Sequence, residues 1–405
     1  MELDEEISCT ILDNVYGGDG LARVDGRVVF VRGAFKGESV KARVAQVKKR
    51  FARADCTEVV APSSEVPRLS HFDSVPGMVY APIAPEAEAR LKLAQLSDFL
   101  RPFGVKPEPC GPAGGLHYRN KVTYRVSGER IGYLAEGSHD IVDVEYDPLA
   151  CDPINASLAD IRRSAFSAAA AARAAGRRVS GDGVALTVRH TELDGVRFWI
   201  GRPPRDLMLR ELTCGLEFEV PADGFYQVNP DVGEMLADAV RTAYLEDAGD
   251  LLDLYCGVGV FGLVCVKSAV AAAESRGETR FPRLVGVESG RESIAAARRN
   301  AAAAGIKANF FCERVGGSLT RLRVSPEHTV IVDPPRGGLE PNVAPWLARC
   351  GAKRIFYVSC DPATLARDLS VLTGGYAIAR SRMFQMFPRT ARFETFVELT
   401  RKGRS

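Results

Sequence analysis

Three patterns of apolar and polar positions follow one another along the chain, and each predicts a different structure. From residue 6 to 60, short runs alternate apolar and polar side chains: Ser8-Cys9-Thr10-Ile11-Leu12, Val28-Val29-Phe30-Val31 and Ser39-Val40-Lys41-Ala42-Arg43-Val44. Glycine turns punctuate them at Tyr16-Gly17-Gly18-Asp19-Gly20, Asp25-Gly26 and Lys36-Gly37. Closely spaced short strands of this kind predict a small β-barrel. Residues 61–84 are rich in Pro and Ser and read as a linker. In the stretch from Pro85 to Arg101, Leu91, Leu93, Ala94, Leu96, Phe99 and Leu100 largely share one face of a helix.

Between residues 105 and 220 the pattern is again mostly β. Examples are the runs Lys121 to Val126, Arg130 to Leu134 and Val184 to Val188, interrupted by one Ala-rich helix near Ile154 to Ala175. From about Phe225 strands and helices alternate, which predicts a parallel sheet with crossover helices. Its strands fall at Leu251 to Tyr255, Leu284 to Glu288, Asn309 to Cys312, Thr329 to Asp333, Arg354 to Ser359 and Ile378 to Phe384, with a last one from Phe393 to Thr400. Five helices lie between, for example Gly290 to Ala304. The expected domains are 1–62, a small β-barrel; 63–220, a linker and a mostly β central domain; and 221–405, an α/β domain.

Composition narrows the class. With 405 residues, 46% of them hydrophobic, the chain can build several cores. A net charge of +2 excludes a general polycation, so any nucleic-acid contact must come from a local patch. One candidate runs from Lys41 to Arg53: Lys41, Arg43, Lys48, Lys49, Arg50 and Arg53, no acid, and Phe51 among them. Basic residues beside an aromatic on a small barrel suit RNA backbone and base-stacking contact. A solvated strand edge guarded by lysines is the other reading. The run His117-Tyr118-Arg119-Asn120-Lys121 fits a nucleic-acid surface and a plain solvated loop equally.

The ten cysteines are scattered without a C-x-x-C pair, so no zinc or iron–sulfur spacing is visible. The opening Met1-Glu2-Leu3-Asp4-Glu5-Glu6 is acidic where a secretory signal is basic. No apolar stretch approaches the ~18 residues that span a bilayer. The expectation is a reduced, cytoplasmic protein without membrane contact or an obligate protein partner.

The chemistry concentrates at the ends of the C-terminal strands. The run Arg354-Ile355-Phe356-Tyr357-Val358 ends in Ser359-Cys360-Asp361-Pro362, and a helical pattern follows. Ligands and catalysis gather at the carboxyl ends of such strands. A Cys there, near a helix N-terminus that favours its thiolate, is a candidate nucleophile. A small buried apolar Cys is the plainer alternative. Asp253-Leu254-Tyr255-Cys256-Gly257-Val258-Gly259-Val260-Phe261-Gly262 covers a strand end and a glycine turn. Gly257, Gly259 and Gly262 match the G-x-G-x-x-G spacing, so the loop alone does not choose the cofactor. Glu288, ending the next strand, can accept from ribose hydroxyls. It stands 31 residues after Gly257, beyond the ~20 of a dinucleotide fold. Asp333-Pro334-Pro335-Arg336-Gly337-Gly338 ends the fourth strand; it places a carboxylate at the sheet edge, or is an ordinary Asp-Pro turn.

Taken together, these pieces resemble the S-adenosylmethionine-dependent RNA uracil-5-methyltransferases that act on tRNA or 23S rRNA. Phe225-Tyr226-Gln227-Val228-Asn229, the Asp253 to Gly259 loop, Asp333 to Gly338, Ser359 to Pro362, and Met386-Phe387-Pro388-Arg389-Thr390 with Glu394 occur in the family's order. The barrel resembles the TRAM RNA-binding domain. Tyr118-Arg119-Asn120-Lys121 and Gly137-Ser138-His139-Asp140-Ile141-Val142-Asp143 match the family's central domain. The resemblance implies a Rossmann-like class I methyltransferase domain behind a TRAM/OB-like barrel. It implies Cys360 as the thiolate that adds to C6 of uracil, and Glu394 as the base that removes the C5 proton. Gln227, Tyr255, Gly257, Gly259, Glu288 and Asp333 match cofactor-binding positions, and the target uridine is expected flipped out of its stack. Alternatives are a catalytically silent RNA-binding protein, or a methyltransferase on another base such as cytosine.

The chain departs from the family's pattern in several places. Many members carry four iron–sulfur cysteines; Leu69, Val75, Met78 and Asp147 stand at those positions here, and Cys56, Cys110 and Cys151 do not restore the spacing. No cluster is therefore expected. Arg392 replaces a usual His two residues before the base, Val260 replaces an Asn or Thr, and Cys312-Glu313-Arg314 lacks the usual small or amide residue.

Overall fold

The structure, a computed structural model, describes residues 1–112, 115–135, 137–174 and 183–403, and side chains for all of these except 169–174. Six strands form the first unit: β1 (Glu6–Thr10), β2 (Asp13–Asn14), β3 (Gly20–Val24), β4 (Arg27–Arg32), β5 (Ser39–Val47) and β6 (Phe51–Ala61). Their order is β1-β5-β6-β4-β3-β2, with β4 and β6 parallel and the other pairs antiparallel. The period-2 pattern explains the curl. Val40, Ala42 and Val44 point inward to meet Ile7, Val29, Val31 and Ala52, while Lys41 and Arg43 point out.

Residues 61–84 do not behave as the free linker their composition predicts. Val66, Tyr80 and Ile83 are buried against Ala87 and Leu91 of helix α1 (Pro85–Leu100). The other end of the same helix, Leu96 and Leu100, is buried in the C-terminal core. A buried ionic group locks this corner. Lys92 Nζ donates to Glu88 Oε1 (2.7 Å) and Arg389 Nη1 to Glu88 Oε2 (3.1 Å), all three residues being buried. Strand β7 (Glu108–Cys110) follows and joins the edge of the C-terminal sheet, beside its last-but-one strand.

The central unit is a five-stranded sheet of β8 (Lys121–Ser127), β9 (Arg130–Leu134), β10 (Ile141–Asp143), β11 (Val184–Thr191) and β12 (Gly195–Ile200), in the order β10-β9-β8-β11-β12. Helix α2 (Asp152–Ala174) covers it with Ile154, Leu158 and Ile161; Ala175, expected in that helix, lies outside the described residues. A separate hairpin, β13 (Met208–Thr213) and β14 (Leu216–Pro221), turns toward the C-terminal unit, where Phe218 and Val220 join the core.

The C-terminal unit begins with α3 (Pro230–Leu245), capped by Asn229, whose Oδ1 accepts from Val232 N. Then come β15 (Leu251–Leu254), α4 (Val260–Ser275), β16 (Leu284–Glu288), α5 (Arg291–Ala303), β17 (Ala308–Cys312), α6 (Val315–Ser318), β18 (Thr329–Val332), α7 (Val343–Leu347), β19 (Arg354–Ser359), α8 (Pro362–Leu372), β20 (Tyr376–Phe384) and β21 (Glu394–Arg401). The sheet order is β17-β16-β15-β18-β19-β21-β20-β7. Strands β15 to β19 run parallel, and β15, β18 and β19 are buried throughout, as continuous apolar runs on a two-sided sheet require. The last strand is inserted antiparallel between β19 and β20.

Candidate active site

That antiparallel insertion creates the site. Ser359 pairs with Thr395, so Cys360, one residue past the end of β19, falls level with Glu394, the first residue of β21. Two residues 34 positions apart in sequence are thereby set side by side at the carboxyl edge. Asp333 follows β18, whose Val332 pairs with Tyr357 of β19 and Leu254 of β15. Three loops thus converge: after β15, after β18 and after β19. Asp361 caps α8, its Oδ1 accepting from Ala363 N (3.1 Å) and Thr364 N (3.0 Å), with Pro362 at the first helical position. Thr364 Oγ1 donates to Arg336 O (3.3 Å), tying the Cys360 loop to the Asp333 loop. Asn229 Nδ2 donates to Met386 O (3.3 Å), joining the Gln227 segment to the loop that precedes Glu394.

A cleft opens beside these loops. It is lined by Thr213, Phe225, Tyr226, Gln227, Tyr255, Gly257, Val260 and Asp333, among others. Its floor is the glycine loop. Asp253 is buried within β15, and its Oδ2 accepts from Gly262 N (3.0 Å). A Cβ at Gly262 would stand 2.7 Å from that same oxygen, so the close approach requires glycine. Gly259, at φ 91°, starts α4 in a left-handed conformation. Tyr255 adopts φ 61°, a costly conformation for an aromatic residue, of the kind held at ligand sites. Asp253 Oδ1 and Tyr255 Oη are buried without a hydrogen-bond partner among the described residues.

The carboxyls here are held toward their neutral forms. Burial pushes Asp333 up to about 7; part of the residue reaches solvent, but the carboxyl is enclosed. Asp253 is pushed up to about 8 by burial, against the Gly262 hydrogen bond and with help from the charges of Asp333 and Glu288. Glu394 lies well above the usual carboxylate range, first through burial and then through Asp333, with Arg336 opposing. The thiol of Cys360 is likewise pushed up to about 12, by burial, then Glu394, then Asp333. Against the pull of the helix N-terminus expected from the sequence stand desolvation and two neighbouring carboxyls, with Arg336 opposing them.

Of the residues singled out in the sequence, Gln227, Tyr255, Gly257 and Asp333 line the cleft. Gly259 shapes its loop from behind. Glu288 does not line it; its Oε1 accepts from Gly290 N (2.7 Å) and Ser289 Oγ (3.0 Å) at the end of β16. Thr213, Phe225 and Tyr226 form a wall that sequence reasoning assigned no role. The signal for Phe225, which is 68% exposed, was its place beside Gln227. Nothing in the β13–β14 hairpin marks Thr213.

Two basic runs resolve differently. Tyr118 Oη donates to Pro388 O (3.1 Å) and Asn120 N to Val228 O (2.9 Å), so the His117 to Lys121 run is packed between units and is not a solvated loop. In the barrel, Lys41 pairs with Glu58 (2.8 Å) and Arg53 with Asp19 (2.6 Å), acids that lie outside the run itself. Lys48, Lys49 and Arg50 form the exposed β5–β6 turn. Phe51 packs edge-on against Phe30, with centroids 5.6 Å apart.

Comparison with known proteins places this architecture. Residues 210–402 match the family model described as tRNA (Uracil-5-)-methyltransferase, and residues 5–57 match the TRAM domain. The chain is 32% identical to an RNA methyltransferase of Streptomyces coelicolor, over 96% of this chain and 92% of that protein. It is 30% identical to the 23S rRNA (uracil(1939)-C(5))-methyltransferase RlmD of Pseudomonas entomophila, over 95% of this chain and 91% of that one. The structure of the Pyrococcus abyssi tRNA (uracil-54, C5)-methyltransferase in complex with S-adenosyl-L-homocysteine shares the fold, with a TM-score of 0.71 at 21% identity over 97% of this chain and 99% of that one. The fold is that of an S-adenosylmethionine-dependent methyltransferase. Within that class the chain belongs to the RNA uracil-5-methyltransferase family, with an N-terminal TRAM domain. The cleft suits the cofactor's chemistry. Asp333 and Gln227 supply polar groups to its lining beside the aromatic rings of Phe225 and Tyr226. Among the described residues, no helix is long and apolar enough to cross a membrane.

Proposed function

We propose that the chain methylates C5 of a specific uridine in tRNA or 23S rRNA through a covalent bond between Cys360 and C6 of the base. One observation carries this reading: strand register sets Cys360 level with Glu394, beside Asp333 and the cofactor cleft. S-adenosylmethionine, when bound, supplies an electrophilic methyl group on a sulfonium. Gln227, Tyr255, Asp333 and the backbone at Gly257 hold it, Gly259 sets the loop, and Glu288 steadies the neighbouring strand end. C5 of uracil is a weak nucleophile. Once the Cys360 thiol proton has passed to solvent, addition of the sulfur to C6 turns C5 into an enolate carbon that would take the methyl group as its bond to the sulfonium breaks, leaving the neutral thioether. Glu394 then takes the C5 proton, the sulfur–C6 bond breaks and the thiolate is regenerated. An enclosed carboxyl with a raised pKa is suited to receive that proton near neutral pH.

The reading includes an activity without an iron–sulfur cluster. At the positions where cysteines would stand, Val75 and Met78 are packed in the central core, and the Asp147 carboxylate accepts from Tyr124 Oη (2.9 Å) and Tyr133 Oη (2.7 Å). Aliphatic side chains and a carboxylate already committed to two hydroxyls do not form a cluster's donor set. It also includes the division of the chain near 62 and 220, with α1 and the β13–β14 hairpin crossing to the methyltransferase unit. A cytoplasmic site of action accords with ten cysteines that are all free thiols.

The deciding test is transfer of labelled methyl from S-adenosylmethionine to unmodified tRNA and 23S rRNA, followed by nucleoside analysis. 5-Methyluridine in one pool is the expected result, from protein isolated without air and carrying substoichiometric iron. No label in either pool, from folded protein that binds RNA, would leave the silent binding protein standing. The exposed Lys48-Lys49-Arg50 turn gives a second prediction. Changing all three to Ala raises the KM for RNA about tenfold or more at low salt and flattens its salt dependence, with kcat unchanged. A titration at several salt concentrations measures it.

A further inference from the structure

Tyr16 belongs to the N-terminal barrel, yet its hydroxyl reaches the catalytic loops. It sits between β2 and β3 in a loop that is held from both sides. Asn14 Nδ2 donates to Gly18 O (3.2 Å) and Ala34 O (3.0 Å) from within the barrel. Gln95 Nε2 of helix α1 donates to Asn14 O (3.1 Å) and Val15 O (3.2 Å) from outside it. The Tyr16 ring packs edge-on against Phe99 (6.0 Å) and Phe393 (5.7 Å). Its hydroxyl accepts a hydrogen bond from Arg392 Nη1 (2.8 Å), and Arg392 Cζ lies 5.6 Å from the ring centroid. The same Nη1 pairs with Asp361 Oδ2 (3.3 Å). The other oxygen of Asp361 caps α8 directly after Cys360. Arg392 in turn stands two residues before Glu394.

We propose that Tyr16 is a positioning residue for methyl transfer: by holding Arg392, and through it Asp361, it sets the Cys360 loop when the barrel is docked. The inference rests on the assignment of Cys360 as nucleophile. Its physical content is directional. The Arg392 guanidinium is engaged by Tyr16 and Asp361, so it acts on the Cys360 loop through the α8 cap. Without the tyrosine hydroxyl the guanidinium loses one of two fixed partners, and the cap of α8 loses the anchor that aims it. The barrel therefore has two separable roles: its basic turn meets RNA, and Tyr16 serves the chemistry.

Tyr16→Phe removes the hydroxyl and keeps the ring, so packing is preserved. The expected result is a kcat about tenfold lower, the worth of one charge-assisted hydrogen bond, with KM for RNA and the melting temperature unchanged. The Lys48-Lys49-Arg50 variant shows the reverse split. Tyr16→Phe combined with Asp361→Asn loses no more than the worse single change, because both act on one chain of contacts. Arg392→Gln, should Tyr16→Phe misfold, gives the same loss in kcat. An unchanged kcat in Tyr16→Phe, a change in KM alone, or full additivity of the pair would each overturn the proposal. Cys360→Ala separates this from failure of the underlying reading: transfer surviving that change overturns the nucleophile assignment itself, whereas a dead Cys360→Ala beside a fully active Tyr16→Phe overturns only the role of Tyr16.

Discussion

Cys360→Ala abolishes methyl transfer to RNA, by about 10⁴-fold or more, while leaving cofactor binding in place. The magnitude follows from the chemistry. Removing a covalent nucleophile forces the reaction through an unactivated C5, and comparable deletions elsewhere cost several orders of magnitude. The selectivity follows from the architecture. Gln227, Tyr255 and Asp333 line the cleft from other loops, and Cys360 does not line it. The side chain is half-buried in a loop whose shape is fixed by the Asp361 cap and the Thr364–Arg336 bond, so its loss costs little stability. Single-turnover transfer and calorimetric titration of S-adenosyl-L-homocysteine measure the two arms. Transfer within tenfold of the unaltered protein would sink the covalent route.

The resting state of that thiol gives the experiment a second reading. A level of about 12 leaves roughly one thiolate in 10⁵ at neutral pH. Alkylation of Cys360 in the free protein is therefore slow, and it rises with pH well into the alkaline range. The sequence alone pointed the other way, because a Cys before a helix suggests an activated thiolate. What it did not contain was the company the thiol keeps. Burial and two carboxyls from distant strands act on it only once the chain is folded.

The same distinction runs through the rest of the molecule. Strand and helix positions were legible wherever an apolar run was continuous, as in β16 and β19, whose bounds agree with expectation residue for residue. Motif identity was legible too, because tight turns and sheet-edge carboxylates demand particular residues in a short span. Pairings between distant segments were not. The antiparallel entry of β21, the return of β7 to the far sheet edge, the wall supplied by Thr213 and the reach of Tyr16 to Arg392 all join residues with no shared local pattern. The linker at 61–84 misled for a related reason. Its Pro-rich composition is real, but Val66, Tyr80 and Ile83 are spaced to pack against a helix that the stretch itself does not reveal.

Glu394→Gln halts the reaction one step later than Cys360→Ala and leaves a visible product. Glutamine matches the glutamate in shape but cannot accept the C5 proton. Addition of Cys360 to C6 and methylation of C5 still occur, and elimination fails. Overall turnover falls by about 10²- to 10⁴-fold, the usual worth of a positioned base. The methylated RNA remains joined to the protein through sulfur, so a labelled conjugate persists on a denaturing gel. The double variant with Cys360→Ala shows no such band. The pH dependence carries the same signature. The Glu394 carboxyl lies well above the ordinary carboxylate range, chiefly through burial. Below that level it is protonated and cannot act as a base, so kcat of the unaltered enzyme rises with pH until the carboxyl ionises, and Glu394→Gln loses that limb. Turnover within tenfold of the unaltered enzyme, or the absence of any conjugate, would remove Glu394 from the role of base. The register that sets it level with Cys360 would then have to be explained by packing alone.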